Sequence, residues 1–150
     1  MKLKALVGAG DRVMGLILPF IVVGVAANII WPAVFRMASS MGGLIAGIVL
    51  LVIWVPLWLT SVVQILVYVP RKTLITNGPF RLMLHPLYTT VALLVFPGVG
   101  LVLDTWLGFA LGAVLYVSSR IFSPSEEKLL AKYFPKEYPA YRGKVLLPWL

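Results

Sequence analysis

The sequence predicts an all-α integral membrane protein with about four transmembrane helices. Two are long, a short helical hairpin follows, and the chain closes in a C-terminal cytoplasmic amphipathic helix and an irregular tail. Three observations predict this. Hydrophobic residues make up 61% of the 150 positions and charged residues only 12%, whereas a soluble domain carries about 25% charged residues. Mean hydropathy is +0.99. Long charge-free runs alternate with short basic segments, the pattern of spans and their loops. The length fits one membrane domain over 1–150. Two N-terminal spans occupy 1–70, and a motif-rich core occupies 71–150.

Residues 13–35 carry no charge and exceed the roughly twenty apolar residues that a crossing needs. Lys2, Lys4 and Arg12 before this run resemble the start of a signal peptide. The run continues through Trp31 and Phe35, too long for a cleaved signal, so an uncleaved span is expected. Residues 37–70 are also uncharged, with Met37 to Gly43 read as loop. Pro19 and Pro56 fall inside these spans and should kink them. Residues 86–103 form a third span, interrupted at Pro97-Gly98, and 105–119 a fourth. Asp104-Thr105 is the turn between them, with Asp104 as the expected helix N-cap. These short spans read as a hairpin, tilted or in a locally thin bilayer. Beyond them, Ser123-Pro124-Ser125-Glu126 matches a capping box with Pro at the first helical position. Leu129, Leu130, Tyr133 and Phe134 give the new helix an apolar face. Pro135 and Pro139 end it, and the rest, to Trp149, is expected to lie irregularly on the membrane surface.

The net charge of +8 would raise nucleic acid for a soluble protein. Here the basic residues flank apolar runs and form no stripe, so topology and anionic lipid head groups explain them and no nucleic-acid partner is expected. Lys2, Lys4 and Arg12, then Arg71, Lys72 and Arg81, then Arg120 and the basic residues of the tail fall on one side, against Arg36 alone. That asymmetry puts both termini in the cytoplasm. With no Cys and one His, thiol chemistry is excluded and no metal site is expected. No phosphate-binding glycine motif is present. A proton-coupled transporter would carry a carboxylate within a span, and the one candidate, Asp104, sits in a loop.

Polar groups concentrate at the two feet of the predicted hairpin. One set is Asn77-Gly78-Pro79-Phe80-Arg81 and His85-Pro86-Leu87-Tyr88. The other is Glu126-Glu127, Leu130, Phe134, Tyr138, Tyr141, Lys144, Val145 and Pro148. Polar groups so near hydrocarbon are costly and usually functional. His85 could bond a ligand or shuttle a proton, or be an interfacial helix-start residue. The glutamates could stabilise a helix dipole, but two of them in a chain with five acids exceeds that need. Asn77-Gly78-Pro79 reads as a turn. Tyr138, Tyr141, Arg142 and Lys144 could anchor the tail to lipid. Gly98-Val99-Gly100 reads as a helix-packing element, and Gln64 and Asn28 as interhelical hydrogen-bonding groups.

In order and spacing these residues resemble the isoprenylcysteine carboxyl methyltransferase and phospholipid methyltransferase family, over roughly 70–150. The family pattern is Gly-Pro-Tyr-Arg, Arg-His-Pro-x-Tyr, a hydrophobic hairpin, Glu-Glu-x-x-Leu-x-x-x-Phe, Tyr-x-x-Tyr and a terminal Val near Pro. The resemblance implies a membrane-embedded methyltransferase that uses S-adenosylmethionine on a lipid, prenylated or otherwise amphipathic acceptor at the cytoplasmic interface. It implies a cofactor site of Gly78, His85, Pro86, Tyr88, Glu126, Glu127, Tyr138 and Tyr141, with His85 and Glu127 catalytic. One glutamate of the pair is expected to double as a cap. The chain departs from the pattern at Leu84, where the family has Arg before His-Pro, and at Lys144, Phe80 and Pro135. Leu cannot pair with a carboxylate as a guanidinium does, which tilts the acceptor away from carboxylates. The rival readings are a non-catalytic four-helix membrane protein that binds lipid or scaffolds a partner, and a small oligomeric transporter.

Overall fold

The computed structural model describes residues 8–38 and 40–150. Lys2 and Lys4, part of the basic N-terminal segment, lie outside the described residues. Helix α1, Gly8–Ile30, contains Pro19 and stops where Trp31 precedes Pro32, because a residue before proline disfavours helix. A single turn, α2 (Pro32–Phe35), follows. Helix α3, Met41–Tyr68, contains Pro56. It ends just before Arg71 and Lys72, the latter at φ 55°. After a loop come α4 (Pro79–Leu82) and α5 (Pro86–Thr90), both with proline at their first position, where no N–H is missed. A π turn over Val91–Val95 leads into α6, Phe96–Val102. Helix α7, Leu107–Tyr133, is one continuous 27-residue helix, and α8 (Glu137–Arg142) is a short one.

Helices α1, α3 and α7 are each long and apolar enough to cross a membrane, while the arm Pro86–Val102 is shorter. Helix α1 packs on α7, α3 packs on α6, and the arm lies between α3 and α7. Much of α1 and α3 faces outward, with Val23, Ile29, Val52 and Leu66 exposed, as lipid-facing surfaces should be. Hydrophobicity alone does not hold helices together in lipid; close packing at small residues does. The glycines supply it. A Cβ on Gly47 would come within 2.7 Å of the Gly98 carbonyl, and one on Gly100 within 3.0 Å of the Gly108 Cα. One on Gly112 would strike the Ala92 carbonyl. The packing reading of Gly98-Val99-Gly100 therefore holds.

Four expectations are corrected. The interruption of the arm is not at Pro97-Gly98 but one turn earlier. Pro97 has no N–H to bond back, and the helix absorbs this with a π turn in which the Phe96 N–H reaches the Val91 carbonyl. Asp104 does not cap α7. It sits at φ 55°, its carboxylate 3.3 Å from Arg36 Nε, and the hydroxyl of Thr105 accepts the Leu107 N–H instead. The fourth span does not stop at residue 119, and Ser123-Pro124-Ser125-Glu126 is not a helix start. Its buried stripe runs from Leu107 through Leu111, Leu115 and Ser119 to Ser123 and Glu126 without a break, so packing carries the helix past Pro124. Finally, the segment after Pro135 is not wholly irregular, because it forms α8.

The two ends of the bundle differ. At one, Trp106 stacks on Phe35 with ring centroids 5.0 Å apart, and Asn28 accepts a bond from Thr105. At the other, Val13 and Ile17 of α1 pack with Ala92 and Leu115 and touch Tyr88 and Phe122. There the tail is strapped to the loop ahead of α5. Leu146 N–H bonds the Arg81 carbonyl, Leu147 N–H the Leu82 carbonyl, and Leu84 N–H the Leu150 carbonyl. Tyr116 hydroxyl donates to the Trp149 carbonyl.

Candidate functional site

Under this strap the two polar signatures meet. His85 is the residue before α5, at φ −125° and ψ 65°, and its side chain makes no capping bond. The imidazole turns toward α7. Its Nδ1 lies 3.4 Å from Glu126 Oε2, and its Nε2 lies 3.7 Å from Glu127 Oε1. The Tyr88 hydroxyl, one turn into the arm, donates to Glu126 Oε1 at 3.2 Å. The second oxygen of Glu127 is held by Arg142 Nε at 3.2 Å. Neither glutamate caps a helix, because both lie well inside α7; the expected capping role is corrected. Their partners are the imidazole, a phenol and a guanidinium, and consecutive positions, about 100° apart around the helix, let them flank a single ring.

The cluster is dry. His85 is 8% exposed and Glu126 is 8% exposed. Burial, the largest influence on His85, favours the neutral ring. The Glu126 and Glu127 carboxylates, set against the two ring nitrogens, outweigh it and hold the pKa above the ordinary 6.5. Burial also pushes the phenols of Tyr138 and Tyr141 well above their usual range, with the Glu127 charge adding to the effect at Tyr138. Both stay protonated donors at any physiological pH.

A cavity of about 140 Å³ opens beside the cluster. Its polar wall holds His85, Tyr88, Glu126, Tyr138 and Tyr141, and Pro86 also lines it. Thr73 apart, the rest is apolar, including Ile65 of α3 and Val69 just after it, Phe80 of α4, Leu84, Leu130 of α7 and Phe134 just after it. Tyr141 is fixed by donating to the Phe80 carbonyl at 2.7 Å. On this wall two buried polar atoms have no hydrogen-bond partner, His85 Nε2 and the Tyr138 hydroxyl. The latter lies near Glu127 without forming a well-aligned bond. Unpartnered buried polar atoms are costly and mark places where a ligand can bind.

The structure thus gathers His85, Pro86, Tyr88, Glu126, Tyr138 and Tyr141 at one cavity, with Glu127 against His85. It does not bring Gly78 to the cavity wall. Gly78 sits at φ 61°, where a Cβ would meet the Gln64 side chain at 2.9 Å, so glycine answers a turn and a close approach. Gln64 donates to Asn77 Oδ1 at 2.9 Å; it braces the loop rather than a neighbouring span. Three features went unread in the sequence. Arg142 was placed among anchoring residues, but it completes the Glu127 pair. Ile65 and Val69 are apolar residues in a long apolar span, with nothing local to mark them. Leu84 is buried with Tyr138, Tyr141 and Val145 in a small core, so the departure at this position is a packing residue on the cavity wall.

Fold and site together define a helical integral membrane protein whose one histidine and tandem glutamates converge on an apolar cavity at one end of its bundle. The family model described as PEMT, phospholipid methyltransferase, matches residues 42–137, more than half of the chain, and the chain belongs to that family. Membership makes it a membrane methyltransferase in general kind. Among curated proteins and among solved structures, nothing matches.

Proposed function

We propose that the chain transfers a methyl group from S-adenosylmethionine to a lipid or lipid-like acceptor at the cytoplasmic membrane interface. The observation that carries this reading is the convergence of His85 and Glu126 on the wall of a largely apolar cavity, with Glu127 against the imidazole. The donor set fits the cofactor. Carboxylates suit ribose hydroxyls and an ammonium through charge-assisted hydrogen bonds. Arg142, already on Glu127, suits a carboxylate. The aromatic and aliphatic walls suit a purine ring, and the two unpartnered polar atoms, His85 Nε2 and Tyr138 OH, suit a ligand that bonds them.

When bound, the cofactor supplies an electrophilic methyl group on a sulfonium centre. The protein's part is approach geometry and exclusion of water. Leu84, Phe80, Leu130 and Phe134 keep water from the nucleophile. Glu126, held by Tyr88, and Glu127, held by Arg142, orient groups at the polar wall. Leu84 puts no cation beside a carboxylate acceptor, which favours an amine or another acceptor that must first lose a proton. His85 Nε2 is buried and unpartnered, so it can take that proton, and the flanking carboxylates stabilise the imidazolium that results.

Titration calorimetry of S-adenosylmethionine and of its demethylated product, on protein in lipid nanodiscs, tests the proposal. Saturable binding should weaken at least tenfold in Glu127→Gln and His85→Ala, since each removes a charged or hydrogen-bonding partner from a buried site. Well-folded wild type that binds neither compound would sink the reading and favour a non-catalytic lipid-binding or scaffold role.

A further inference from the structure

A second concavity of about 560 Å³ lies on the other side of Tyr141, between the loop at Thr76–Arg81 and α8. Arg81 and Lys144 line it, with the Thr76 hydroxyl and one carboxylate, Glu137. Arg81, Lys144 and Glu137 are exposed, and none forms an ion pair among the described residues. The groove therefore carries two cations and one anion held apart, a net positive charge open to solvent. Its border is apolar in a way a soluble ligand would not need. Leu82 is 38% exposed and Leu146 61%. The strap bonds that join Leu146 and Leu147 to Arg81 and Leu82 bring Leu82 and Leu146 next to Arg81 and Val145, which line the groove. A basic recess beside exposed leucines, at the end of a bundle that spans a membrane, has the chemistry of a lipid head-group seat.

We propose that this groove holds the phosphate of an anionic phospholipid as a resident ligand, separate from the His85 cavity. Arg81 and Lys144 bind the phosphate, Thr76 donates to it, and Leu82 and Leu146 enter the acyl boundary. The charge decides the lipid class. A zwitterionic head group would leave the groove positive, whereas one net negative charge neutralises it. Occupancy also has a structural consequence. The ligand bridges Thr76 and α4 to the segment just after α8, and α8 carries Tyr141, which walls the cavity, and Arg142, which holds Glu127. Anionic lipid therefore fastens the element that closes the candidate site.

The test uses the full chain in nanodiscs of phosphatidylcholine alone or mixed with phosphatidylglycerol. Lipid retained after release is read by native mass spectrometry, and unfolding by thermal denaturation. Neither readout involves the methyl donor, so this proposal can fail while the methyltransferase reading stands, and the reverse. Phosphatidylglycerol should be retained in preference, by about fivefold for each cation that meets it, and should raise Tm. Arg81→Gln with Lys144→Gln should bring retention to parity and abolish the Tm rise. Glu137→Gln removes the one anion and should strengthen the preference, so the proposal stays falsifiable if the double variant fails to fold. Inorganic phosphate should not raise Tm in phosphatidylcholine discs; a rise equal to that from phosphatidylglycerol would make a free phosphate the ligand and overturn the lipid assignment. Equal retention of both lipids by wild type, or an unchanged preference in the double variant, would also overturn it.

Discussion

Between Glu126 and Glu127, His85 carries the site's dependence on pH. Its folded pKa is raised above 6.5. A raised value means that the folded state binds the proton more tightly than the unfolded state. The resulting stabilisation is fully present below about pH 6.5 and is lost as pH rises through the folded value. Thermal unfolding in detergent from pH 6 to pH 9 should show Tm falling across that window. His85→Asn should flatten this slope and cost about 3 kcal/mol at pH 6, because it leaves the buried Glu126 carboxylate without its cation. An unchanged slope in His85→Asn would mean that another group titrates. The residue types at this site were legible from the sequence: one His, a tandem Glu and two spaced Tyr in a chain of few polar groups. Their partners were not, since the pairing of Glu127 with Arg142 rests on where α8 turns back, and Gly78 meets Gln64 rather than the cavity. Leu84 read as a lost cation; its packing against Tyr138 and Tyr141 appears only in three dimensions.

At the scale of elements, local signals and packing compete, and packing wins where the two disagree. Ser123-Pro124-Ser125-Glu126 carries every mark of a helix start, yet it lies inside α7. The stripe of small and apolar residues through Gly108, Gly112, Ser119 and Ser123 keeps its helical spacing across Pro124, and the Ser125 hydroxyl turns back to the Phe122 carbonyl at 2.6 Å. That stripe was visible in the sequence; its priority over the capping motif was not, because no local rule says that the arm covers it. The two N-terminal spans, by contrast, were read to within about a turn and a half at each end, since apolar length alone defines them. The glycine seam gives a sharp test. A Cβ on Gly108 would strike the Phe96 carbonyl and come within 2.7 Å of the Gly100 Cα, backbone that cannot rotate away. Gly108→Ala should cost about 1–3 kcal/mol and separate the arm from α7. Gly15→Ala on α1, with nothing within 4 Å, should be neutral or stabilising by about 1 kcal/mol. Equal thermal unfolding of the two variants would show that the arm does not depend on this contact.

The whole molecule sorts its charge by end. Arg12, the loop with Arg71, Lys72 and Arg81, and the tail with Arg142 and Lys144 share the end that holds the candidate site, while Arg36 pairs with Asp104 at the other. The sequence displayed this asymmetry as a list of loops. The fold adds that the α2 and Asp104 turns dock on each other, through the Phe35–Trp106 stack and the Trp106 indole N–H bonded to the Val34 carbonyl at 2.9 Å, so that end is closed by its own contacts. Basic loops are generally retained on the cytoplasmic side, and the proposed reaction requires that orientation, with the site end toward a soluble methyl donor. The chain contains no cysteine, so single-cysteine variants give a clean reading of orientation. Ser40→Cys at the sealed end and Lys136→Cys at the site end both replace exposed residues. In intact cells a membrane-impermeant maleimide should label Ser40→Cys and spare Lys136→Cys, and permeabilised cells should label both. The reverse pattern would put the site outside the cytoplasm, away from any intracellular supply of S-adenosylmethionine, and the proposed reaction could not run in that orientation.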